Sequence, residues 1–324
     1  MTKTVSLKIA IANHAHTAAV KDGTIPIEGV TAEFVNVVPQ IAAYRRMVRN
    51  VEFDVCELAP TTYLIARSLG APFVALPIFV MRRFHHRGLL VRPGANIRAP
   101  KDLEGKKVGV RAYSVTSGVW TRGILMDEYG LDSAKVTWVV DDEEHVQELK
   151  LPPNVEHAPQ GTSLAQMMAQ GEIDAGLAGN AGIGRSGSPS SGWKQEEANY
   201  PELFSDARER EAEWYERTGI YPIHGTIVVK EQVLKDNPWV AQVLFDAFSQ
   251  AKTQWLERLD SGEADTAADK TYREHREIVG NDPLPFGIRP NLPAIAALLE
   301  TTFRQKLIAE RISLGDAFFD SETV

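Results

Sequence analysis

Residues 79–91 read FVMRRFHHRGLLV, and the reading of the whole chain turns on that stretch. Arg82, Arg83, His85, His86 and Arg87 put five cationic or potentially cationic side chains into six positions. The apolar run VALPIFV (74–80) precedes them and GLLV (88–91) follows. Two strands apolar enough for a sheet interior therefore meet at a knot of charge. A solvated turn with surface arginines would give this pattern. An anion-recognition and proton-transfer site at the junction of two domains would give it too, because Arg presents a fixed fork to carboxylates and His titrates near neutral pH.

Working outward, strand and helix patterns alternate on both sides. Upstream, LKIAIA (7–12) is a short apolar strand that ends in Asn13-His14-Ala15-His16-Thr17. In open α/β sheets ligand groups sit at the carboxyl ends of strands, which makes His14, His16 and Thr17 candidates. A second strand over 30–37, a helix opened by Pro39, and the strand FDVCEL (53–58) follow, with Glu57 placed to accept a proton or orient a histidine. Downstream, a strand starting at Val108 leads through the hydroxyl-rich Tyr113-Ser114-Val115-Thr116-Ser117-Gly118 into a helix stopped by Gly130. Such a loop offers N-caps and free backbone N–H groups to a carboxylate or phosphate. Thr116 and Trp120 share one face of that helix and Arg122 lies to one side. Residues 141–159 form a polar excursion with no clear element, and the glycine-rich 179–192 reads as a mobile lid or a plain loop. His224 precedes a late strand, and the helices after 237 read as scaffold. The alternation predicts a doubly wound α/β architecture.

Composition narrows the partners. The 324 residues suit two lobes, and a formal net charge of −8 with no dense Lys/Arg stripe argues against nucleic acid and anionic membranes. No stretch approaches the roughly 18 apolar residues of a membrane helix. The first residues lack the apolar core of a secretory signal, so the expectation is a cytoplasmic protein. With Cys56 as the single cysteine, an intrachain disulfide and a multi-cysteine metal site are excluded. The expected partner is a small molecule, and a homo-oligomer is compatible.

The order of segments adds a resemblance. DLEGKKVGV (102–110), GEIDA (171–175) and a returning strand before NPWV (237–240) resemble the type II periplasmic-binding-protein fold over nearly the whole chain. That fold implies two lobes, each a doubly wound mixed sheet flanked by helices: 1–92 with 219–324, and 93–218, with a ligand cleft between them. FDVCEL (53–58), ALPIFVMRRFHH (75–86), VGVRAYSVTSGVWTRGIL (108–125) and TGIYPIHG (218–225) together resemble the 4,5-dihydroxyphthalate decarboxylase family. The resemblance points at Glu57, Arg82, Arg83, His85 or His86, Tyr113, Thr116, Trp120, Arg122 and His224. The chain departs from the family pattern at His14 and His16, at the second histidine of the His85-His86 pair, and in the glycine richness of 179–192.

The activity so implied is loss of CO2 from a hydroxylated aromatic acid by protonation of the ring carbon. It needs no redox cofactor, only a base for the phenol, an acid for the carbon, and cationic anchors. The expectation assigns Arg82, Arg83 and the Tyr113, Ser114 and Thr116 loop to carboxylate binding. His85 or His86, helped by Glu57 or His224, would move protons. A divalent metal bridging the catechol oxygens, drawn from His14, His16, Glu57 and His86, is an open variant. The competing class is a non-catalytic solute-binding protein for a small aromatic carboxylate, serving transport or sensing.

Overall fold

The computed structural model describes residues 4–187 and 192–319. In chain order the strands are β1 (Val5–Ala10), β2 (Val30–Phe34), β3 (Val55–Leu58), β4 (Phe73–Arg82), β5 (Leu89–Val91), β6 (Lys107–Gly109), β7 (Thr137–Val140), β8 (Val155–His157), β9 (Ala175–Leu177), β10 (Arg185–Ser186), β11 (Lys194–Gln195) and β12 (Ile223–Lys230). The chain divides into two compact units. The first comprises Met1–Arg83, Tyr215–Leu299 and Glu310–Val324; the second comprises Phe84–Trp214 and Glu300–Ala309. Each unit holds a mixed five-stranded sheet flanked by helices, as the resemblance implies.

In the first unit the strand order is β2-β1-β3-β12-β4. β1 runs parallel to β2 and β3, and β12 runs antiparallel to β3 and β4. The carboxyl ends of β1, β3 and β4 and the start of β12 therefore meet at one edge of the sheet. β3 is buried throughout, which is why its sequence reads as a continuous run rather than an alternation. Leu7, Ile9, Val55, Leu76 and Ile227 pack against Leu244, Ala247, Phe248 and Ala251 of the helix Val240–Ser261.

In the second unit the order is β5-β9-β6-β7-β8, all parallel except β5, which runs antiparallel to β9. The sequence reading carried the first lobe to residue 92. Leu89–Val91 is instead hydrogen-bonded into the second sheet through Ala175–Leu177, so the strand after the Arg/His cluster belongs there. The polar excursion 141–159 ends in β8, an edge strand beside β7.

The glycine-rich stretch is folded over its described part, while residues 188–191 lie outside the described residues. Gly182 and Gly184 both donate to the Gly179 carbonyl, at 3.2 and 3.1 Å, and Ile183 is buried in the second unit's core. A Cβ on Gly184 would stand 2.5 Å from the Gly179 Cα, so backbone approaches backbone there and a side chain has no room. Among the described residues, no helix is long and apolar enough to cross a membrane.

The helix Thr116–Tyr129 packs just as closely on Thr301, because a Cβ on Gly123 would lie 2.8 Å from the Thr301 Cγ2. Helix propensity favours Ala over Gly by about 1 kcal/mol, but overpacking costs about 1–3 kcal/mol. Gly123→Ala should therefore be destabilising by about 1 kcal/mol in urea denaturation. Adding Thr301→Ala should recover that loss, and a double variant no more stable than Gly123→Ala would refute the contact.

Candidate active site

The site is built on Glu57, a carboxylate with 0 % exposure in the middle of the buried β3. A charge in such a place persists only if its oxygens are satisfied. The Ala12 N–H donates to Oε2 at 2.9 Å, His14 Nε2 lies 3.0 Å from the same oxygen, and the Tyr44 hydroxyl donates to Oε1 at 3.2 Å. The chain after β1 is drawn over the carboxylate by these bonds. Lys21 pins the same loop, its Nζ donating to the Ile11 carbonyl at 3.0 Å and to the Asn13 Oδ1 at 2.6 Å. Gly225 lies beside the pair: a Cβ there would stand 3.4 Å from the Glu57 Oε1, an ordinary contact, and 3.2 Å from side-chain atoms of Met81 and Val80.

Electrostatics favour an ion pair. Burial alone would raise Glu57, but the His14 charge and the three hydrogen bonds outweigh it and hold the carboxyl below its usual range. Burial alone would lower His14, but the charge and hydrogen bond of Glu57 raise it above its ordinary value. His16, only 3 % exposed, stacks on His14 with ring centroids 5.0 Å apart and meets Trp255 edge-on at 5.4 Å. Burial, joined by the His14 charge, holds His16 well below its ordinary value. Thr17 is buried and its hydroxyl donates to the His14 carbonyl at 3.2 Å.

The two arginines at the end of β4 differ. Arg82 is buried, and its guanidinium donates to the Tyr221 carbonyl at 2.7 Å, to the Pro285 carbonyl at 3.4 Å and to Asn291 Oδ1. It braces the strand and is turned away from solvent, contrary to the expectation that it holds a carboxylate. Arg83 is exposed, and its Nη2 lies 2.9 Å from His224 Nε2. A guanidinium can only donate, so in this arrangement the His224 Nε2 accepts and its proton sits on Nδ1. Irregular pairing of β12 with β4 around residues 223–227 sets His224 at the same sheet edge.

The second unit carries the remaining candidates. His85 and His86 are both buried there, with the Thr121 hydroxyl donating to the His85 carbonyl at 3.4 Å. His86 packs on Trp214 and Phe204 at 5.3 and 6.2 Å, and burial, helped by the Arg210 charge, pulls it down to about 4. A ring so enclosed is neutral at pH 7, which suits packing better than acid catalysis. Glu211 underlies this segment. Burial pushes its carboxyl up to about 7, against the opposing charge of Arg87 and the backbone N–H groups of Arg87 and His86.

The Tyr113–Ser114 loop receives an anion, as a hydroxyl-rich loop should, but the anion is internal. Glu144 accepts from the Tyr113 N–H at 2.6 Å, from the Ser114 N–H at 3.1 Å, and from the Ser114 hydroxyl. Thr116 and Trp120 are buried at the start of the following helix. Arg122 is fully buried beneath the loop, donating to the Tyr113 carbonyl at 2.6 Å and to Gln305 Oε1 at 2.8 Å. It supports the loop from behind rather than presenting its fork outward.

Among the described residues, no three His, Cys, Asp or Glu side chains are arranged to hold a metal ion. His14, His16 and Glu57 belong to the first unit and His86 to the second. His14 Nε2 is turned to Glu57, which leaves Nδ1 as its other ring nitrogen. Sequence reasoning missed Tyr44, on the helix opened by Pro39, and Tyr272, a buried phenol pushed up to about 12 that feels both Glu57 and Arg83. It also missed Glu211 and Glu144; the acidic run DDEE (141–144) directly after β7 was the available signal for the latter.

Residues 28–185 match a family model described as ABC transporter, phosphonate, periplasmic substrate-binding protein. The chain is 30% identical over 330 residues to a 4,5-dihydroxyphthalate decarboxylase of Comamonas testosteroni, covering 97% of this chain and 96% of that one. A 4,5-dihydroxyphthalate decarboxylase of Pseudomonas putida is 35% identical over 179 residues, covering 53% of this chain and 69% of the relative. Among solved structures, a Candida albicans gene product described as exhibiting the generic periplasmic binding protein structural fold aligns with a TM-score of 0.54, 14% identity, and coverage of 98% and 99% of the two chains.

The His14–Glu57 pair fixes a pH signature. His14 is raised, so its stabilisation is complete below its unfolded pKa of about 6.5 and fades as pH rises through the folded value. Glu57 is lowered, so its stabilisation is complete above its unfolded pKa of about 4.3 and fades as pH falls through the folded value. The pair should stabilise most between those limits. Glu57→Gln should move His14 from above to below its ordinary value in an NMR titration, because burial then acts unopposed. An unmoved His14 would rule out the pair.

Proposed function

The chain belongs to the 4,5-dihydroxyphthalate decarboxylase family, and we propose from that membership and the His14–Glu57 pair that it removes CO2 from a hydroxylated aromatic acid such as 4,5-dihydroxyphthalate, without redox chemistry. It is a carboxy-lyase. In such a substrate each carboxylate stands para to a hydroxyl. Loss of the hydroxyl proton pushes charge to the carboxylate-bearing carbon, which takes a proton and becomes tetrahedral. The carbon–carbon bond then breaks, its electrons restore the ring, CO2 leaves, and the phenol is reprotonated. The net change replaces C–COO⁻ by C–H and consumes one proton.

The first unit has groups suited to each part. His14, protonated beside Glu57, is the acid for the ring carbon, with Glu57 holding the ring in place. Arg83 is the solvent-facing cation and takes the carboxylate that stays. Gripping the departing one would stabilise the ground state and slow the reaction. A carboxylate drawing Arg83 away frees the His224 Nε2 lone pair to accept the phenolic proton. His86, neutral and packed among aromatic rings, is left to structure. The observation that carries the reading is the buried His14–Glu57 pair at a strand's carboxyl end.

The match of residues 28–185 to a periplasmic substrate-binding model favours a second reading, binding of the acid without turnover. Incubation with 4,5-dihydroxyphthalate separates the two. CO2 and 3,4-dihydroxybenzoate should form, and recovery of intact, bound ligand would sink the decarboxylase reading. His14→Ala should lower kcat by about 10²–10⁴-fold, the usual worth of a general acid. Arg83→Ala should act chiefly on KM; a His14→Ala variant with unchanged kcat would remove His14 from the chemistry.

A further inference from the structure

One peptide group in the loop after β1 lies between two opposite charges. The Ile11 carbonyl accepts from the Lys21 ammonium at 3.0 Å. The Ala12 N–H, the other end of the same amide, donates to Glu57 Oε2 at 2.9 Å. An amide bonded to a cation at its oxygen and to an anion at its nitrogen is polarised along its own dipole, so each of the two bonds strengthens the other. Lys21 and Glu57 are thereby joined through the Ile11–Ala12 peptide.

The same ammonium holds the rest of the loop. It donates to the Ala12 carbonyl at 3.4 Å and to Asn13 Oδ1 at 2.6 Å, so its three donors go to the three residues directly before His14. All three oxygens are uncharged, and among the described residues no carboxylate forms an ion pair with Lys21. A flexible side chain gives up its rotamer freedom to one loop here, with no salt bridge to hold it.

His14 is fixed from the other side as well. Its carbonyl accepts from the Thr17 N–H at 3.1 Å and from the Thr17 hydroxyl at 3.2 Å. Its Nε2 lies 3.0 Å from the Glu57 oxygen that Ala12 also bonds. The charge of Lys21 reaches both members of that pair.

We infer that Lys21 is a positioning residue of the reaction: acting through the Ile11–Ala12 peptide, it fastens the loop to Glu57 and sets His14 where its proton meets the substrate. The role of His14 as acid comes from the decarboxylase reading, on which this inference rests. The relay from Lys21 to Glu57 through the peptide exists whether or not the substrate turns over. Substrate binding is left to Arg83, so loss of Lys21 falls on kcat and spares KM.

The test removes the ammonium and then puts it back. Lys21→Cys deletes it, and alkylation with bromoethylamine rebuilds a lysine analogue at that partly exposed position, while the native thiol, Cys56, is buried out of reach. Lys21→Cys should lower kcat for CO2 release from 4,5-dihydroxyphthalate about tenfold, the worth of one hydrogen bond to a charged group, with KM within about twofold of the wild type. Aminoethylation should restore most of the lost kcat. In NMR spectra the Ala12 amide proton should move upfield in Lys21→Cys, as its bond to Glu57 weakens, and return on aminoethylation. Unchanged kcat in a folded Lys21→Cys, a loss confined to KM, no recovery on aminoethylation, or an unmoved Ala12 amide would each overturn the inference. If Lys21→Cys does not fold, Lys21→Gln, which keeps a donor without the charge, should show the same loss of kcat and the same upfield shift, and the absence of either would overturn it. A wild type that releases no CO2 would sink the decarboxylase reading instead, and the Ala12 amide would then judge the relay by itself.

Discussion

A carboxylate buried inside a sheet has to be satisfied on every side, and Glu57 imposes that requirement on the first unit. The effective cost of burying an ion is several kcal/mol even after relaxation. It is met here by one backbone N–H, one imidazole and one phenol drawn from the loop after β1 and the helix Gln40–Asn50. Much of the sheet edge follows. The loop must fold back far enough for Ala12 and His14 to reach the carboxylate, and Lys21 closes it by binding three oxygens of that loop. The neighbouring β12 places Gly225 beside the carboxylate, and the irregular pairing around that glycine leaves His224 within reach of Arg83. The site is thus a consequence of satisfying one charge.

Burial also sorts the arginines, which look alike in sequence. Arg82 and Arg122 are enclosed and bonded to carbonyl or amide oxygens, so they spend their donors on the fold. Burial lowers both from the ordinary guanidinium value. Arg83, the first residue past β4, alone of the adjacent pair reaches solvent.

The architecture was the more legible part. Continuous apolar runs marked β1, β3 and β4, Gly130 at φ 63° ended the helix where its position suggested, and the segment order matched a two-sheet scaffold. Strand ownership was less legible, because β5 is as apolar as β4 and only its pairing with β9 shows which sheet receives it. In the site, Glu57, Arg83 and His224 could be singled out by residue type at strand ends. Their pairing could not, because His14 reaches Glu57 across 43 positions and Arg83 reaches His224 across 141. Helix boundaries show a smaller limit: Asn237 closes one helix, while the next begins at Val240 with no side-chain cap. Glu144 was illegible for a different reason. Its partners are backbone N–H groups, which carry no residue signature, and its own segment has no periodicity to place it.

The two histidines of the first loop show how one environment assigns opposite roles to identical side chains. Stacked 5.0 Å apart, two imidazolium rings would repel by about 3 kcal/mol at an effective dielectric of 20, so at most one carries a proton near neutrality. Glu57 decides which, since it bonds His14 and raises it, whereas His16 is enclosed by Trp255 and Tyr272 and lowered. A pair of titratable groups driven apart in this way divides a cationic proton donor from a neutral neighbour. His14 therefore carries the positive charge of the pair, and what keeps it there is the same buried carboxylate on which the sheet edge is built.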